Sequence, residues 1–424
     1  MNLPSTSLRE LSCADDYDPN SMPVDKAREV IARFLAPLSA VERLNVRAAL
    51  GRVLAEDIIS PIDVPAHDNS AMDGYAVRFS DLNASEETTL AVAGTAFAGA
   101  PYGGAVPLGA CVRIMTGAVV PRGADTIVMQ EHVKARDGQV TVGMGHRKGQ
   151  NLRCAGEDLA AGQVALMRGA LMRPAEIGLA ASLGIAEVPV YRKLRVAFFS
   201  TGDELVSIGS LPKEGQIYDS NRYTIFGMLQ RLGCEALDMG VVRDDPKLLE
   251  QAFSEASASA DVVITSGGVS VGEADFVKEL LNKLGEVVFW KIAMKPGRPL
   301  AYGKIGAAHF FGLPGNPVSV MVTFYQFVRD ALLKLSGRDP IEPLPTFKVP
   351  CTSALKKAPG RTEFQRGILT RAADGSLSVR VTGEQGSGIL RSMAEANCFI
   401  ILPTDQGNVT PGTPVEVQPM EGVI

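Results

Sequence analysis

The middle of the chain alternates short apolar runs with longer amphipathic ones. The runs LRVAFFS, CEALDMGVV, DVVITS and VVFWKIAM are rich in β-branched or aromatic residues, which is typical of buried strands. Between them, RYTIFGMLQRL, PKLLEQAFSEAS and DFVKELLNKLG carry apolar residues at helical spacing, with Ser220 or Asn221 expected to cap the first and Asp245 the second. This alternation predicts a central, doubly wound, mostly parallel α/β domain over residues 193–338.

The flanking regions follow other patterns. Apolar residues on one helical face predict a first helix from about Val24 to Leu38. Residues 59–155 alternate short β-type runs with glycine-rich turns and predict a β-rich domain. Helical spacing returns at RPAEIGLAASLGI, so we interpret the β-rich domain as inserted into a discontinuous helical and extended domain, 23–58 and 156–192. After the proline-rich GRDPIEPLP, strand-like runs predict a small C-terminal β-barrel over 339–424.

The composition favours a multidomain globular protein in a reducing compartment. The chain has 424 residues, and its net charge of −5 gives no global basic field for nucleic acid. No apolar run approaches the roughly 20 residues of a membrane span, and residues 1–22 lack a signal pattern and are expected to be a loose tail. Six scattered cysteines without a C-x-x-C motif favour the cytoplasm, and only four histidines argue against a histidine-rich metal site.

Four loops follow the carboxyl ends of predicted strands, where open α/β sheets bind their ligands. They are STGDEL, RDD, TSGGVSVGEAD and LPGNP. In the third loop, glycines let backbone N–H groups point at an anion, and the helix expected near Asp275 adds its positive end. The alternative interpretation is that these glycines only form a tight turn after the strand. As a phosphate loop, its binding residues would be Ser266, Gly267, Gly268, Ser270 and Gly272.

Carboxylates crowd the same loops. Glu204, Asp244 and Asp275 would repel a phosphate unless a cation stood between them, and Mg²⁺ prefers oxygen ligands together with substrate phosphates. These three residues therefore predict a magnesium–phosphate site, although Asp275 is also placed to cap a helix.

Basic residues follow in WKIAMKPGRPLAYG, which contains Lys291, Lys295 and Arg298. Arg366 and Ser387 lie in the last region of the chain. Scattered basic residues usually form a solvated face, whereas a cationic pocket beside an acidic metal site would bind a second anion.

Several motifs occur in order along the chain: HDNSAMDGYAV, RIMTGA, GEDLAAG, ASLGIAEVPV, FSTGDEL, RDD, SGGVSVGEADF, KPGRP, GLPGNPVS and APGRTEFQRG. Through them, the sequence closely resembles the MoeA family of molybdopterin molybdenumtransferases from about residue 23 to the C-terminus. It also resembles the corresponding domain of gephyrin.

The resemblance implies an elongated homodimer with four domains per chain, in which the discontinuous domain serves dimerisation and the α/β domain binds molybdopterin. It implies that molybdenum from molybdate enters adenylylated molybdopterin and that AMP leaves, with Mg²⁺ assisting. Other proteins of molybdenum cofactor biosynthesis are the expected partners.

The resemblance also implies roles for individual residues. By motif, the residues expected to be catalytic are Glu204, Asp244, Asp275, Asp158, Asp73 and Thr116, the last two reaching the cleft from the partner subunit. Pro314 and Pro317 match the turn that shapes the cleft, and the residues expected to bind molybdate are Lys291, Lys295, Arg366 and Ser387. Arg298 stands where some relatives have lysine, and a planar guanidinium differs from a point charge.

Two other function classes remain open at this stage. The scaffold could serve as a binding or clustering module, as in gephyrin. A related α/β domain catalyses the adenylylating step, which would consume ATP.

Overall fold

The computed structural model describes residues 22–268 and 275–420, and only the backbone of residues 275–278 and 289. Its helices are α1 Val24–Arg33, α2 Pro174–Ser182, α3 Ser220–Arg231, α4 Pro246–Ser259, α5 Asp275–Leu284, α6 Pro317–Thr323, α7 Arg329–Leu335 and α8 Arg391–Glu395. A π-helical segment, Phe324–Val328, joins α6 to α7, and short 3₁₀ turns lie at Phe79–Asp81 and Gln130–His132.

The strands of the first half are β1 Val41–Asn45, β2 Ile58–Ile59, β3 Asn69–Ser70, β4 Gly74–Val77, β5 Thr88–Ala96, β6 Ala110–Ile114, β7 Thr126–Met129, β8 Val133–Arg136, β9 Gln139–Val142, β10 Leu152–Arg153, β11 Val164–Leu166, β12 Glu187–Tyr191 and β13 Arg195–Thr201. Those of the second half are β14 Leu205–Val206, β15 Ile217–Tyr218, β16 Glu235–Val242, β17 Val262–Ser266, β18 Gly285–Lys291, β19 Met294–Lys295, β20 Pro299–Ile305, β21 Ala308–Leu313, β22 Phe347–Pro350, β23 Thr362–Arg371, β24 Leu377–Val381, β25 Cys398–Leu402 and β26 Pro414–Pro419.

The central sheet is mixed rather than parallel throughout. Its order is β16-β13-β17-β21-β20-β18, with parallel pairing among the first four strands and antiparallel pairing on both sides of β20. The prediction of a mostly parallel sheet therefore describes only one side of it. Only Gly306 and Ala307 separate β20 from β21, and a connection that short forms a hairpin, whereas a parallel crossover needs a dozen or more residues.

Both faces of this sheet carry helices because the side chains of β13 alternate in direction. Phe198 packs in one buried cluster with Leu229 of α3, whereas Phe199 packs in another with Phe253 of α4. The Phe253 ring meets Phe199 edge to face at 5.2 Å between centroids and Phe310 at 5.7 Å. Full burial of one such ring contributes roughly 1.5–3 kcal/mol, so the alternation fixes which face each helix covers.

The other sheets link distant parts of the chain. In the first half, one sheet has the order β7-β4-β6-β5-β9-β8. Two strands that precede this sheet in the chain pair with two strands that follow it, β1 with β12 and β2 with β11. In the second half, a sheet has the order β19-β23-β25-β26-β22, with β24 paired to β23. The short strand β19 carries Lys295, and its pairing with β23 brings the last region of the chain against the central one.

Within the described ranges, none of the helices has the length and apolar character that a membrane crossing requires.

Candidate functional site

A cleft of about 780 Å³ lies at the carboxyl ends of the parallel strands. One wall consists of Thr201, Gly202, Glu204, Asp244, Gly267 and Gly268. The rest comes from residues 294–299, 314–316, 319, 361 and 385–387. We call this the substrate cleft. All four loops predicted from the sequence thus contribute to one cavity, to which the last region of the chain also contributes.

The glycines of the predicted phosphate loop lie directly against Thr201. Gly267 and Gly268 have φ angles of +91° and +67°, which side chains rarely adopt. A Cβ on Gly267 would lie 2.6 Å from the Thr201 carbonyl oxygen, and one on Gly268 would lie 2.9 Å from the Thr201 hydroxyl oxygen. That hydroxyl is buried and has no hydrogen-bond partner among the described residues. The Gly267 N–H already donates to the Leu313 carbonyl at 3.1 Å. The unsatisfied hydroxyl beside the Gly268 amide suits a ligand with acceptor oxygens.

Asn221 connects two loops of the substrate cleft. Its amide nitrogen donates to the Ser266 hydroxyl at 2.7 Å and to the Gly315 carbonyl at 2.6 Å. Ser266 is 2% exposed, so its side chain lies beneath the loop rather than in the cleft wall. Neither Ser220 nor Asn221 caps α3. The cap is Asp219, whose carboxylate accepts from the backbone N–H of Arg222.

Two of the three predicted metal ligands, Glu204 and Asp244, line the substrate cleft together. Asp275 begins α5, but its side chain lies outside the described residues, as do Ser270 and Gly272. In the part of the chain described, no three His, Cys, Asp or Glu side chains group to bind a metal. Because Mg²⁺ is commonly bound through one or two carboxylates plus substrate phosphates, the pair Glu204 and Asp244 fits it.

Cationic side chains also line the substrate cleft. Lys295 and Arg298 line the substrate cleft, and Lys295 Nζ lies 3.5 Å from Glu363 Oε1. Glu363 is only 4% exposed and accepts from Gln365 Nε2 at 3.0 Å. The register of β19 with β23 places Lys295 directly opposite Glu363. A buried carboxylate therefore orients the ammonium group at the cleft wall, a role that the sequence pattern did not indicate.

Arg366 and Lys291 are not part of the cleft wall. Arg366 is 1% exposed and donates to the Gly386 carbonyl and the Ser392 hydroxyl, both at 3.0 Å. Burial lowers its pKa to about 10, so it remains charged at neutral pH. Arg366 therefore fixes the loop that carries Ser387, which does line the cleft.

Pro314 lines the substrate cleft, whereas Pro317 is not in its wall and opens α6. The backbone N–H of the next residue, Val318, donates to the Ser387 carbonyl at 3.1 Å. This hydrogen bond joins the start of α6 to the loop from the last region of the chain.

Asp73, Thr116 and Asp158 are not among the residues that line the substrate cleft within this chain. The Asp73 carboxylate accepts from the backbone N–H and the hydroxyl of Thr116, each at 2.7 Å. These bonds, the backbone one first, lower the pKa of Asp73. Asp158 is exposed.

Comparison with known proteins gives matches along nearly the whole described chain. The model of the MoeA N-terminal region, domain I and II, matches residues 22–184. That of a probable molybdopterin binding domain matches 197–334, and that of the MoeA C-terminal region, domain IV, matches 348–420.

Individual relatives agree with these matches. A Haemophilus influenzae protein named molybdopterin molybdenumtransferase is 48% identical over 95% of this chain and 99% of its own length. A protein of the same name from a Nostoc species is 37% identical over 89% of this chain and 88% of its own. The crystal structure of a molybdopterin biosynthesis MoeA protein from Pyrococcus horikoshii superimposes with a TM-score of 0.82 at 30% identity, covering 94% of this chain and all of that one.

Proposed function

The chain belongs to the MoeA family of molybdopterin molybdenumtransferases, and we propose that it inserts molybdenum from molybdate into adenylylated molybdopterin with release of AMP, using Mg²⁺. The observation that carries this proposal is the substrate cleft of about 780 Å³, which is lined by two carboxylates together with lysine and arginine side chains. That arrangement provides separate places for a cation-bound pyrophosphate and for a second anion.

The acidic wall would bind the pyrophosphate. Glu204 and Asp244 would hold Mg²⁺, which when bound offsets negative charge on phosphate oxygens. The backbone amide of Gly268 and the hydroxyl of Thr201 would donate to those oxygens and fix the anhydride in place.

The cationic wall would bind molybdate. Lys295, Arg298 and Ser387 offer charge-assisted or hydroxyl donors that suit a tetrahedral oxyanion. Glu363 and Arg366 act behind them by orienting Lys295 and the Ser387 loop. The proposed chemistry depends on positioning and electrostatics and needs no protein nucleophile.

The purified chain is expected to release AMP from adenylylated molybdopterin only when both molybdate and Mg²⁺ are present. Chromatography of the nucleotide products measures this directly. AMP release that does not respond to molybdate would contradict the metal-insertion step. Consumption of ATP with molybdopterin would instead show the adenylylating reaction, and binding of adenylylated molybdopterin without turnover would show a binding module.

We further propose a cytoplasmic homodimer with four domains per chain, 23–58 with 156–192, 59–155, 193–338 and 339–424, the discontinuous one serving dimerisation. Other proteins of molybdenum cofactor biosynthesis would be its partners. The described cysteines are free thiols, which supports a reducing compartment.

The dimer proposal predicts complementation between inactive variants. Asp73 is ionised and exposed but does not line the cleft of its own chain, so a partner subunit would have to supply it. Asp73→Ala and Glu204→Ala chains, each inactive alone, are expected to recover about a quarter of wild-type AMP release after unfolding and refolding together in equal amounts, because half of the dimers then carry one intact site.

The control is each variant refolded alone, and the measurement is AMP release per milligram. No recovery in the mixture, with mixed dimers demonstrated by differently tagged chains, would place Asp73 in its own subunit's function and contradict a shared site.

A further inference from the structure

A second cleft, of about 480 Å³, lies between the first region of the chain, the C-terminal end of α3 and the segment that leads into the last region. Its charged lining residues are Arg52, Lys193, Arg231, Arg329, Arg338 and Glu342. We call it the basic cleft. None of its described lining residues belongs to the substrate cleft. Five cations face one carboxylate here, in a chain whose net charge is −5.

Two of the five cations are neutralised by the protein itself. Arg52 forms an ion pair with Glu42 and donates to the Tyr191 carbonyl at 2.6 Å. Arg329 forms an ion pair with Asp330 at 2.5 Å. Their positions are therefore explained by intramolecular contacts.

The other three cations have no such partner in the part of the chain that the structure describes. Among the described residues, no carboxylate oxygen lies within 4.0 Å of the side-chain nitrogens of Lys193, Arg231 or Arg338. Lys193 and Arg231 are exposed, but Arg338 is half-buried. Partial burial of a cation without a carboxylate partner costs free energy, because the lost hydration is not replaced.

Burial is the main effect that lowers the pKa of Arg338. Among its charged neighbours, Glu342 raises this pKa, Arg173 and Arg329 lower it, and Glu176 raises it by the smallest effect. An anion bound in the basic cleft would offset both costs at Arg338. It would replace the hydration that burial removes, and it would screen the repulsion from neighbouring arginines.

The remaining wall is apolar. Leu50, Leu232, Leu333, Ile341 and Leu344 line the basic cleft, and Leu50 is 58% exposed. A bare inorganic anion would leave this surface in water. The volume lies within the roughly 300–1,000 Å³ range of small-molecule sites, and the combination suits a ligand with an apolar or planar body and more than one negative charge.

We propose that the basic cleft binds an organic phosphate of the nucleoside diphosphate class, with the phosphates on Lys193, Arg231 and Arg338 and the planar body against the leucine side chains. This site is independent of the proposed transferase reaction. It would take a ligand without Mg²⁺, because its lining offers cations in place of metal-binding carboxylates.

The test is calorimetric titration of the full chain with ADP and with pyrophosphate, in the absence of divalent metal. Lys193→Gln with Arg231→Gln removes two exposed charges that form no ion pair among the described residues, so the fold should persist, and Arg338→Gln removes the half-buried one. Each change is expected to weaken one ADP-binding event by about tenfold or more, because charge-assisted hydrogen bonds to phosphate are lost. Pyrophosphate should bind more weakly than ADP, since it leaves the apolar wall uncovered.

Two matched variants complete the design. Arg380→Gln removes one positive charge at an exposed position of the last sheet, and Arg298→Gln removes one from the substrate cleft. Both should leave the affected ADP-binding event unchanged. Equal ADP affinity in wild type, Lys193→Gln/Arg231→Gln and Arg338→Gln would overturn the proposal. The proposal would also be overturned if these variants changed the oligomeric state of the chain in sedimentation but left ADP affinity unchanged. The basic cleft would then be an interface between copies of the chain. AMP release from adenylylated molybdopterin is measured separately, so the two proposals fail independently.

Discussion

Asp244→Ala is expected to lower molybdate-dependent AMP release by at least about 10²-fold while changing the free energy of unfolding by less than about 1 kcal/mol. Asp244 is exposed and lines the substrate cleft beside the loop that contains Gly267. If it is a ligand of Mg²⁺, its loss removes charge compensation where the anhydride would be cleaved. Initial rates of AMP formation, with thermal or denaturant unfolding of the same samples, separate the two effects.

The neighbouring residue gives a matched control. Asp245 is an acid of the same loop, but its Oδ1 accepts from the backbone N–H groups of Lys247 and Leu248 at 2.9 and 3.0 Å and so caps α4. Asp245→Ala should therefore cost about 0.5–2 kcal/mol of stability and leave AMP release nearly unchanged. Glu204→Ala and the exposed Asp203→Ala form a second pair, since only Glu204 lines the cleft. Wild-type AMP release by Asp244→Ala would contradict its assignment.

The spacing of apolar residues correctly predicted helices and strands whose sequence pattern lies within one short segment. The strand DVVITS corresponds to β17, and α4 begins at Pro246 with Asp245 as its cap, as predicted. The first helix was predicted too long. It ends at Arg33 rather than Leu38, because Pro37 disfavours a helical conformation in the preceding residue and the Leu38 N–H donates instead to the Leu335 carbonyl at 3.0 Å.

The substrate cleft was partly predictable because strand ends converge by geometry. A rule about the carboxyl ends of parallel strands places Glu204 and Asp244 together without any knowledge of their contacts. The supporting residues follow no such rule. Asn221 bonds to groups 45 and 94 positions away, and Glu363 lies opposite Lys295 only because β19 pairs with β23. Such contacts depend on tertiary register, which the spacing of residues along one segment does not encode.

Arg366 shows the same limit. The family resemblance assigns it to molybdate, which would require an accessible cation. Instead, both hydrogen-bond partners of its side chain come from positions 20 and 26 residues further along, and they bury the guanidinium. A planar fork with several donors can satisfy a carbonyl and a hydroxyl at once, which explains why arginine occupies this position.

Arg366→Met is therefore expected to lower the free energy of unfolding by about 2–4 kcal/mol, because it removes two hydrogen bonds from a charged donor and leaves the Gly386 carbonyl without that partner. Arg366→Lys should also be destabilised, since a single ammonium does not reproduce the fork. Both changes should weaken molybdate binding through displacement of the Ser387 loop. Denaturant unfolding and the molybdate dependence of AMP release measure the two consequences.

Arg361→Met is the control that distinguishes an arginine that holds the Ser387 loop from one that contacts molybdate directly. Arg361 belongs to the same motif, but it is exposed and lines the substrate cleft. Its replacement should weaken molybdate binding with little change in stability, the opposite balance to that of Arg366→Met. A direct molybdate ligand at Arg366 would give the Arg361 pattern instead, with full stability and a largely functional Arg366→Lys. The ratio of lost stability to lost molybdate affinity therefore decides whether Arg366 contacts the oxyanion or fixes the loop that does.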